Sequence, residues 1–398
     1  MIGDGWDGDP SVRPGPPVET APGIRRVAVV TGSRAEFGLL EPVMRAVKAR
    51  DDCLLMVVAA GSHLISPAET YRDVKARFGA HIADAVPMQM AGKTGRAADV
   101  EALGRGVARF GRAFERMQPD WVVVLGDRIE AFAAASAASV GGYAVAHIHG
   151  GDRAEGVADE AMRHAITKLS HLHLAATEQS AERIRRMGER AEHVFVTGSP
   201  AIDGLEQIPA MTDEAFAELG RPDVVFLMHP VGRPAEREES AAAAALAAVL
   251  SDPARRVVAM HPNFDPGREG ILAAVEGVGA RVRLVRHLPR ERFVGLLKRL
   301  GRGVMVGNSS AALIEAAALG VAAVDIGPRQ SGRERAGNVV TAAGEGSEQV
   351  AAAINAALGM ERKRGHPYGD GRAGERIAEL LAGLNPHDPR LLRKHCAY

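Results

Sequence analysis

Short apolar segments rich in Val, Ile and Ala alternate with amphipathic helical patterns along almost the whole chain. Near-continuous apolar strands that are separated by helices are typical of a parallel sheet covered by helices on both faces. The alternation therefore predicts an α/β fold. In the first half of the chain, the predicted strands are residues 25–31, 53–59, 81–88, 121–126, 143–149, 171–177 and 193–198.

The same pattern restarts after residues 198–222, with further strand candidates between residues 223 and 327. A chain of 398 residues is also too long for one compact core and suits two domains. We expect a ligand cleft between these domains, which is a common place for a small-molecule site. The predicted division is a disordered N-terminal extension at 1–24, a first domain at 25–203, a second domain at 204–384 and a polar tail at 385–398.

Composition restricts the partners and the compartment. Lys+Arg and Asp+Glu both total 49, so the net charge is zero and no global basic field attracts nucleic acid. Cys53 and Cys396 lie far apart without metal-ligand spacing, which favours a reducing cytoplasm over a disulfide scaffold. No segment approaches the ~20 apolar residues of a membrane span. The Gly- and Pro-rich residues 1–23 do not resemble a secretory signal.

The segment HIHGGDRAEGVADEAMRHAITKLSHLH (147–173) concentrates groups that can transfer protons. A buried-looking strand leads into a Gly-Gly turn, and in open α/β sheets ligands bind outside the carboxyl ends of strands. Candidates here are His149, Asp152, Asp159 and Arg163, although Asp159 and Arg163 could also form an ordinary helical ion pair. Asp127 follows a strand that we expect to neighbour this one, and it could act on a substrate or cap the next helix.

Zinc binding is a second hypothesis for this segment. His147-x-His149 and His171-x-His173 resemble ligand pairs, because residues two apart on a strand share a face. No H-E-x-x-H pattern or cysteine partner accompanies them, which favours a site without metal.

Anion-binding signals stand at two helix starts. In VGNSSAALIEAAALG (306–320), the strand is followed by Asn308, Ser309 and Ser310, which suit a pyrophosphate but would serve equally as an N-cap. Glu315 lies further along that helix. In TGSRAEFGLL, Arg34 could bind a phosphate, or it could be a solvated residue of a tight turn.

More polar side chains follow the strands of the second half. The segment GPRQSGRERAGNVV brings Arg329, Arg333 and Arg335 together, either as a diphosphate clamp or as a solvated basic loop. FLMHPVG and AMHPNFDPG each place a histidine and a proline after a strand. His229 and His261 are therefore candidate substrate contacts, with Asn263 and Asp265 behind them. A polar turn at the strand end is the alternative for both histidines.

Together, these stretches resemble the hydrolysing UDP-N-acetylglucosamine 2-epimerases of sialic-acid biosynthesis, a branch of the wider UDP-N-acetylglucosamine 2-epimerase family. The matching motifs are TGSRAEFGLL, GDR, HIHGGD, DEAMRHAITKLSHLH, TGSP, HPV, GNSS, GVAAVDIG and PYGDGRA, in the family's order over roughly residues 25–380. The resemblance implies two Rossmann-like domains of the glycosyltransferase-B type, the nucleotide between them, and neither a metal nor a cofactor.

The reaction that the resemblance implies is elimination of UDP to a glycal, followed by hydration to N-acetylmannosamine. Asp127 and Asp159 match the family's catalytic acids, Arg163 and His229 its sugar or phosphate contacts, and Arg34 its phosphate-side loop. Ser309, Ser310 and Glu315 match its nucleotide-binding helix. Asp152 and His229 complete the predicted catalytic set. Predicted binding residues also include His149, His261, Asn263, Asn308 and Arg333. A homo-oligomer, dimer or tetramer, is implied as well.

This chain departs from the branch at a few positions. Asp152 stands where the branch usually has glutamate, which is longer by one methylene group. Ala311, Ala312 and Ala317 replace Ser, Gly and Pro, and the lysine that non-hydrolysing relatives carry near Leu39 is absent. Alternatives are the same reaction on a UDP- or GDP-linked 2,4-diacetamido-trideoxyhexose, a glycosyltransferase of this architecture, and a sugar-nucleotide sensor without activity.

Overall fold

A computed structural model describes residues 23–66, 70–93, 95–154, 159–263, 265–362 and 365–397, with the side chain of Asp159 outside this set. Most of the predicted N-terminal extension (1–24) therefore lies outside the described residues. Two all-parallel sheets organise the described part, which confirms the α/β prediction. No helix in the described residues is long and apolar enough to cross a membrane.

The first sheet has seven strands in the order β3-β2-β1-β4-β5-β6-β7. Every predicted strand of this half of the chain is present, and its ends agree with the prediction to within two residues. The strands are β1 (Arg25–Thr31), β2 (Cys53–Ala60), β3 (Ile82–Val86), β4 (Trp121–Leu125), β5 (Ala144–Ile148), β6 (Leu172–Ala175) and β7 (Val194–Val196). The helices are α1 (Arg34–Lys48), α2 (Tyr71–Phe78), α3 (Arg96–Met117), α4 (Ile129–Val140), α5 (Asp159–Leu169), α6 (Glu178–Arg186) and α7 (Asp213–Glu218).

The second sheet has six strands in the order β10-β9-β8-β11-β12-β13. The sequence does not predict β13, because its three residues directly follow an arginine-rich loop and give only a short apolar run. The strands are β8 (Val224–Leu227), β9 (Val257–Met260), β10 (Val282–Val285), β11 (Val304–Gly307), β12 (Ala322–Asp325) and β13 (Val339–Thr341). The helices are α8 (Ala235–Val249), α9 (Arg268–Gly277), α10 (Arg290–Arg299), α11 (Glu315–Leu319), α12 (Ser347–Gly359), α13 (Ala373–Gly383) and α14 (Pro389–Leu392).

Each sheet is buried on both faces, as its continuous apolar strands require. In β1, Val27 and Val29 belong to one core, and the alternating residues Ala28 and Val30 belong to the core on the opposite face. The strands of the second sheet divide between two cores in the same way. Burial on both faces explains why central strands such as β1, β4 and β11 carry no polar alternation.

The last helices return to the first domain. Ile377, Ala378 and Leu381 of α13 are in the core beneath β1, and the indole nitrogen of Trp121 donates to the carbonyl oxygen of Leu381 at 2.9 Å. The predicted second domain of 204–384 is therefore corrected at its end, because α13 packs on the first sheet. The predicted polar tail also buries Leu391 there. An amphipathic pattern shows that a helix has an apolar face, but it does not show which sheet covers that face.

Candidate active site

The candidate residues of both domains follow strands at which the strand order changes direction. In the first sheet β1 lies beside β4, and Arg34 and Asp127 follow these two strands. In the second sheet β8 lies beside β11, and His229 and Asn308 follow them. Such switch points open a crevice at the carboxyl ends of the strands, where ligands of α/β proteins bind. Strand β4 also pairs with β5, as we expected from the sequence.

Asp127 and Arg163 form an ion pair at this edge of the first sheet. The Nη2 atom of Arg163, on α5, contacts Oδ2 of Asp127, and its Nη1 atom donates to the carbonyl oxygen of His149 at 3.1 Å. Arg163 is only 4% exposed. The arginine is therefore not a solvated helix residue, since it connects Asp127 to the turn that follows β5. Asp159 begins α5, but its side chain lies outside the described residues.

The turn of residues 149–152 holds a buried histidine and a buried carboxylate together. His149 has a positive φ of 63°, and its Nδ1 atom lies 3.0 Å from Oδ2 of Asp152. Its Nε2 atom lies 2.9 Å from the Ser199 hydroxyl. Asp152 is 1% exposed and accepts a bond of 2.8 Å from the Ser180 hydroxyl at Oδ1. Both His149 nitrogens and both Asp152 oxygens are thus engaged within the protein.

Asp152 is ionised in this environment. Burial opposes its charge, but His149, Arg333 and the Ser180 hydroxyl outweigh burial and hold the pKa of the Asp152 carboxyl well below its usual range. A carboxylate that accepts several hydrogen bonds and faces a guanidinium is a weak base. The geometry therefore favours Asp152 as an anchor for its neighbours over Asp152 as a proton acceptor.

The 149–152 turn rests directly on α6. Gly151 has a φ of +73°, and a Cβ atom there would collide with the backbone oxygen of Ser180. Only glycine satisfies both conditions at this position. The second glycine of HIHGGD therefore serves close packing of the turn against α6, in addition to any chemistry.

A loop of the second domain reaches this turn. Residues 326–338, after β12, place Arg333 Nη2 at 3.0 Å from Oδ2 of Asp152. The Nη1 atom of Arg333 binds Oε1 of Gln330 at 3.0 Å, and the Gln330 amide donates to the carbonyl oxygen of Asn308 at 2.9 Å. This chain of contacts joins the start of the serine-rich segment after β11 to the 149–152 turn. Arg335 instead pairs with Asp325, the last residue of β12, at 2.6 Å.

Positive charge accumulates between the domains. Burial and the charges of Arg333 and Arg329 lower the pKa of Arg163 to about 9. The Nε atoms of Arg163 and Arg333 are buried without a hydrogen-bond partner among the described residues. A buried N–H donor without a partner is costly, and guanidinium groups suit phosphate oxygens. The cluster is therefore arranged to bind an anion.

His229 is held as a neutral imidazole at the second switch point. Its Nδ1 atom accepts a bond of 3.1 Å from the backbone N–H of Asn263, so that Nε2 carries the proton. Burial and the charges of Arg329 and Arg128 keep the pKa of His229 well below its usual value. The side chain of Asn308 bonds to both the N–H and the carbonyl group of His229, at 2.7 and 2.9 Å. His229 can therefore donate a hydrogen bond from Nε2.

The segment after β11 begins with a capped 3-10 turn. The Ser309 hydroxyl accepts from the N–H of Ala311 at 3.4 Å, and Ser310 is the first residue of that turn. Glu315 begins α11, and burial raises its pKa although Arg290, His149 and Arg333 exert charges that lower it. Glu315 thus follows the capped turn after β11 in the second domain.

Other predicted residues lie at the margin of this cluster or away from it. Arg34 is the first residue of α1, where burial lowers the pKa of its guanidinium. His261 instead bonds through Nδ1 to Arg268 at 3.1 Å, and the Asn263 amide contacts Asp265.

The four histidines of the two predicted zinc-ligand pairs in segment 147–173 form separate hydrogen bonds. His147 bonds to the carbonyl oxygen of Gly126 at 2.8 Å, His171 accepts from the N–H of Val145, and His173 pairs with Glu189. Only His149 joins the site. The described residues contain no group of three or more His, Cys, Asp or Glu side chains that could hold a metal ion.

Sequence reasoning missed several residues that build the site. Ser180 and Ser199 bind Asp152 and His149, Gln330 positions Arg333, and Arg183 contacts both domains. A serine or arginine on an ordinary amphipathic helix gives no local signal of such a role. Arg128, next to Asp127, contacts Asp265 across the cleft at 3.5 Å.

Two buried carboxyl groups lie beneath the first switch point. Oε2 of Glu36 accepts from the N–H of Gly32 at 2.8 Å, and Oε1 of Glu130 accepts from Gln89 at 2.7 Å. A Cβ atom at Gly32 would collide with the Glu130 side chain. Burial, and then the charge of Glu130, raise the pKa of Glu36 to about 8. Glu36 is therefore largely protonated at neutral pH.

This raised pKa predicts a pH-dependent effect of Glu36→Gln on stability. The folded protein keeps a proton on Glu36 up to about pH 8, whereas the unfolded chain releases it near the ordinary glutamate pKa of 4.5. Wild-type stability therefore falls as pH rises between these values, by at most about 1.4 kcal/mol per pH unit from this group. Relative to wild type, the glutamine variant should gain stability from pH 5 to pH 8 in urea unfolding. A difference that stays constant with pH contradicts the prediction.

Known proteins are similar to this chain in sequence and in fold. Residues 45–382 match the protein family described as UDP-N-acetylglucosamine 2-epimerase. A Legionella pneumophila protein named UDP-N,N'-diacetylbacillosamine 2-epimerase (hydrolyzing) is 34% identical over 389 residues, which cover 94% of this chain and 100% of the relative. A UDP-N-acetylglucosamine 2-epimerase of Neisseria meningitidis is 31% identical over 327 residues, or 80% of this chain and 83% of that one.

Solved structures show the same architecture. The Neisseria meningitidis UDP-GlcNAc 2-epimerase bound to UDP-GlcNAc has a TM-score of 0.75 at 21% identity, covering 89% of this chain and 99% of that one. The S. aureus MnaA–UDP co-structure also has a TM-score of 0.75, at 19% identity, covering 90% of this chain and 96% of that one. These similarities confirm the two Rossmann-like domains of the glycosyltransferase-B type.

Proposed function

Because the chain belongs to the UDP-N-acetylglucosamine 2-epimerase family, we propose that it is a hydrolysing 2-epimerase that converts UDP-N-acetylglucosamine to N-acetylmannosamine and UDP. The observation that carries this proposal is the position of Arg163. It pairs with the Asp127 carboxylate and lies within electrostatic reach of Arg329 and Arg333 of the second domain. An acid/base group therefore stands beside a basic cluster suited to a departing diphosphate.

The proposed reaction has two steps. In the first, a base takes the proton from C2 of the sugar, the C2–H electrons form the C1–C2 double bond, and UDP leaves from C1 with the C1–O electrons. In the second, water adds its oxygen to C1 of the glycal, and C2 receives a proton on the opposite face. The first step needs a carboxylate near C2 and positive donors on the diphosphate.

We assign the acid/base roles at the sugar to carboxylates that retain access to the cleft. The side chain of Asp127 is 19% exposed and pairs with Arg163, so it is the favoured proton-transfer group. Asp159 remains a second candidate on the same helix as Arg163. Asp152 acts by holding His149 and Arg333 in place, and His229 donates from Nε2 to the sugar or the departing phosphate.

The second domain would hold the nucleotide. Ser309 and Ser310 would donate to the diphosphate at the start of the turn after β11, and Glu315 would accept from the ribose hydroxyls. Arg333 and Arg34 would contact the phosphates from the two domains. Asn308 and Asn263 would support this site by fixing the position of His229. His261, bonded to Arg268, would contact the substrate only at its edge.

The 34% identical relative favours a second candidate substrate. It is named for UDP-N,N'-diacetylbacillosamine and matches over 94% of this chain, so a UDP- or GDP-linked 2,4-diacetamido-trideoxyhexose is the alternative sugar. In either case the product would supply the biosynthesis of nonulosonic, sialic-type acids. We also propose a cytoplasmic homo-oligomer, a dimer or a tetramer.

An acceptor-free assay tests this function. The purified protein is incubated with UDP-N-acetylglucosamine, and in parallel with UDP- and GDP-linked 2,4-diacetamido-trideoxyhexoses, without any acceptor. Release of UDP together with free N-acetylmannosamine supports the proposal, and preference for a trideoxy sugar identifies the alternative substrate. Release of UDP only after an acceptor is added would show a glycosyltransferase. Formation of UDP-N-acetylmannosamine without free sugar would show a non-hydrolysing epimerase.

A further inference from the structure

We propose that Arg183 of α6 is a positioning residue that fastens the 149–152 turn to the second domain, so that the acid/base side of the site and the diphosphate side are assembled together. This inference rests on the proposed function for its activity readout. Arg183 itself touches neither Asp127 nor His229 in any described contact. It acts through the backbone of the turn and through the 326–338 loop.

Helix α6 contacts the 149–152 turn through two side chains. Nη1 of Arg183 donates to the carbonyl oxygen of Gly151 at 3.0 Å. One helical turn earlier, the Ser180 hydroxyl donates to Oδ1 of Asp152 at 2.8 Å, and Gly151 packs against the Ser180 backbone. Two adjacent residues of the turn are thus held by side chains of one rigid helix.

The Arg183 guanidinium also contacts the second domain. Nη2 of Arg183 lies 2.8 Å from Oε1 of Glu334 and 3.4 Å from the carbonyl oxygen of Gly332. The Glu334 side chain is buried, and its backbone carbonyl accepts from the Tyr368 hydroxyl at 2.5 Å. The Glu334 carboxylate oxygens have no hydrogen-bond partner among the described residues, so the ion pair with Arg183 is the described contact that offsets this buried charge.

Arg333 connects the 326–338 loop with the 149–152 turn. This residue precedes Glu334 and binds Asp152, so the 326–338 loop contacts the turn directly through Arg333 and contacts Arg183 of α6 through Glu334. Arg183 links the loop to the turn by a second route, because it contacts both Glu334 and the carbonyl oxygen of Gly151. Without it, the Arg333–Asp152 bond would be the main polar contact described between this loop and the turn. Asp152 and Arg333, whose relative position must be kept to within a fraction of an ångström, would then lose this support.

The test compares Arg183→Gln with Arg186→Gln. Arg186 is on the same helix, is largely exposed and pairs, among the described residues, with Glu182, so its replacement should leave activity and protection unchanged. Arg183→Gln should lower kcat for UDP release about 10- to 100-fold, with UDP affinity changed little. Its melting temperature should fall, because the buried Glu334 carboxylate loses its counter-ion.

A double-mutant cycle tests the partner. Glu334→Gln should reproduce the loss in kcat, and the double variant should be no worse than either single variant, because both changes open the same contact. Additive losses would overturn the proposal, as would a kcat for Arg183→Gln equal to that of Arg186→Gln.

Hydrogen exchange supplies a readout that does not depend on the reaction. Peptides that cover residues 147–154 should exchange faster in Arg183→Gln than in wild type, and Arg186→Gln should match wild type. Unchanged protection in Arg183→Gln contradicts the positioning role even if the protein hydrolyses no UDP-sugar. Failure of wild type to release UDP would instead count against the proposed function.

Discussion

Asp127→Asn is expected to lower the rate of UDP release about 10²- to 10⁴-fold, the range that a positioned acid/base group contributes. Asparagine keeps the size of the side chain and can still accept a bond from Arg163. It cannot take a proton from C2 of the sugar. Because the amide retains the contacts of the carboxylate, substrate binding should change far less than kcat, as steady-state kinetics with UDP-N-acetylglucosamine will show.

Asp120→Asn is the matched control for this experiment. Asp120 lies at the opposite end of β4, where its carboxylate accepts from the N–H of Arg26 at 2.8 Å and pairs with His387. Its replacement should reduce stability slightly and leave kcat within about twofold of wild type, since a surface contact of this kind contributes only about 1 kcal/mol to folding. Similar losses in both variants would mean that Asp127 matters for folding and not for proton transfer.

Asp152→Asn is expected to produce a loss of kcat of about 10²-fold or more, although Asp152 is assigned no proton transfer. The asparagine amide can still bond to Ser180, but it offers no negative charge to Arg333 and His149, which then lie buried without their counter-ion. The turn should loosen, so a fall in melting temperature should accompany the loss.

Asp152→Glu separates charge from length at the same position. It keeps the carboxylate and restores the residue usual in the hydrolysing branch, so activity should stay within about tenfold of wild type, far above that of Asp152→Asn. A collapse of Asp152→Glu to the level of Asp152→Asn would show that the pocket is fitted to the shorter side chain. Equal activity of Asp152→Asn and wild type would contradict the anchoring role.

Much of the fold follows from local sequence patterns. The central strands of both sheets are buried on two faces, so each gives an apolar run that predicts a strand. The three-residue edge strand β13 is partly exposed and gives no such run. Asp127, Arg34, His229 and Asn308 follow such strands directly, and the two switch points then bring them to the cleft. Sequence therefore locates residues whose role depends on a strand end.

Contacts made through tertiary packing could not be predicted in this way. His147, His171 and His173 appear beside His149 in the sequence, yet each satisfies its own buried hydrogen bond. The return of α13 to the first sheet depends on which core accepts Ile377 and Leu381. Ser180 and Arg183 gain their roles only because α6 packs against Gly151.

In the proposed reaction, the first domain takes a proton from C2 of a UDP-sugar while the second domain holds the departing diphosphate. Incubation with UDP-N-acetylglucosamine in D2O, followed by mass spectrometry and NMR of the released sugar, tests both parts of this reaction at once. We expect wild type to form UDP and N-acetylmannosamine that carries deuterium at C2, and Asp127→Asn to form almost none. Released sugar with its original hydrogen at C2 would contradict elimination through a glycal.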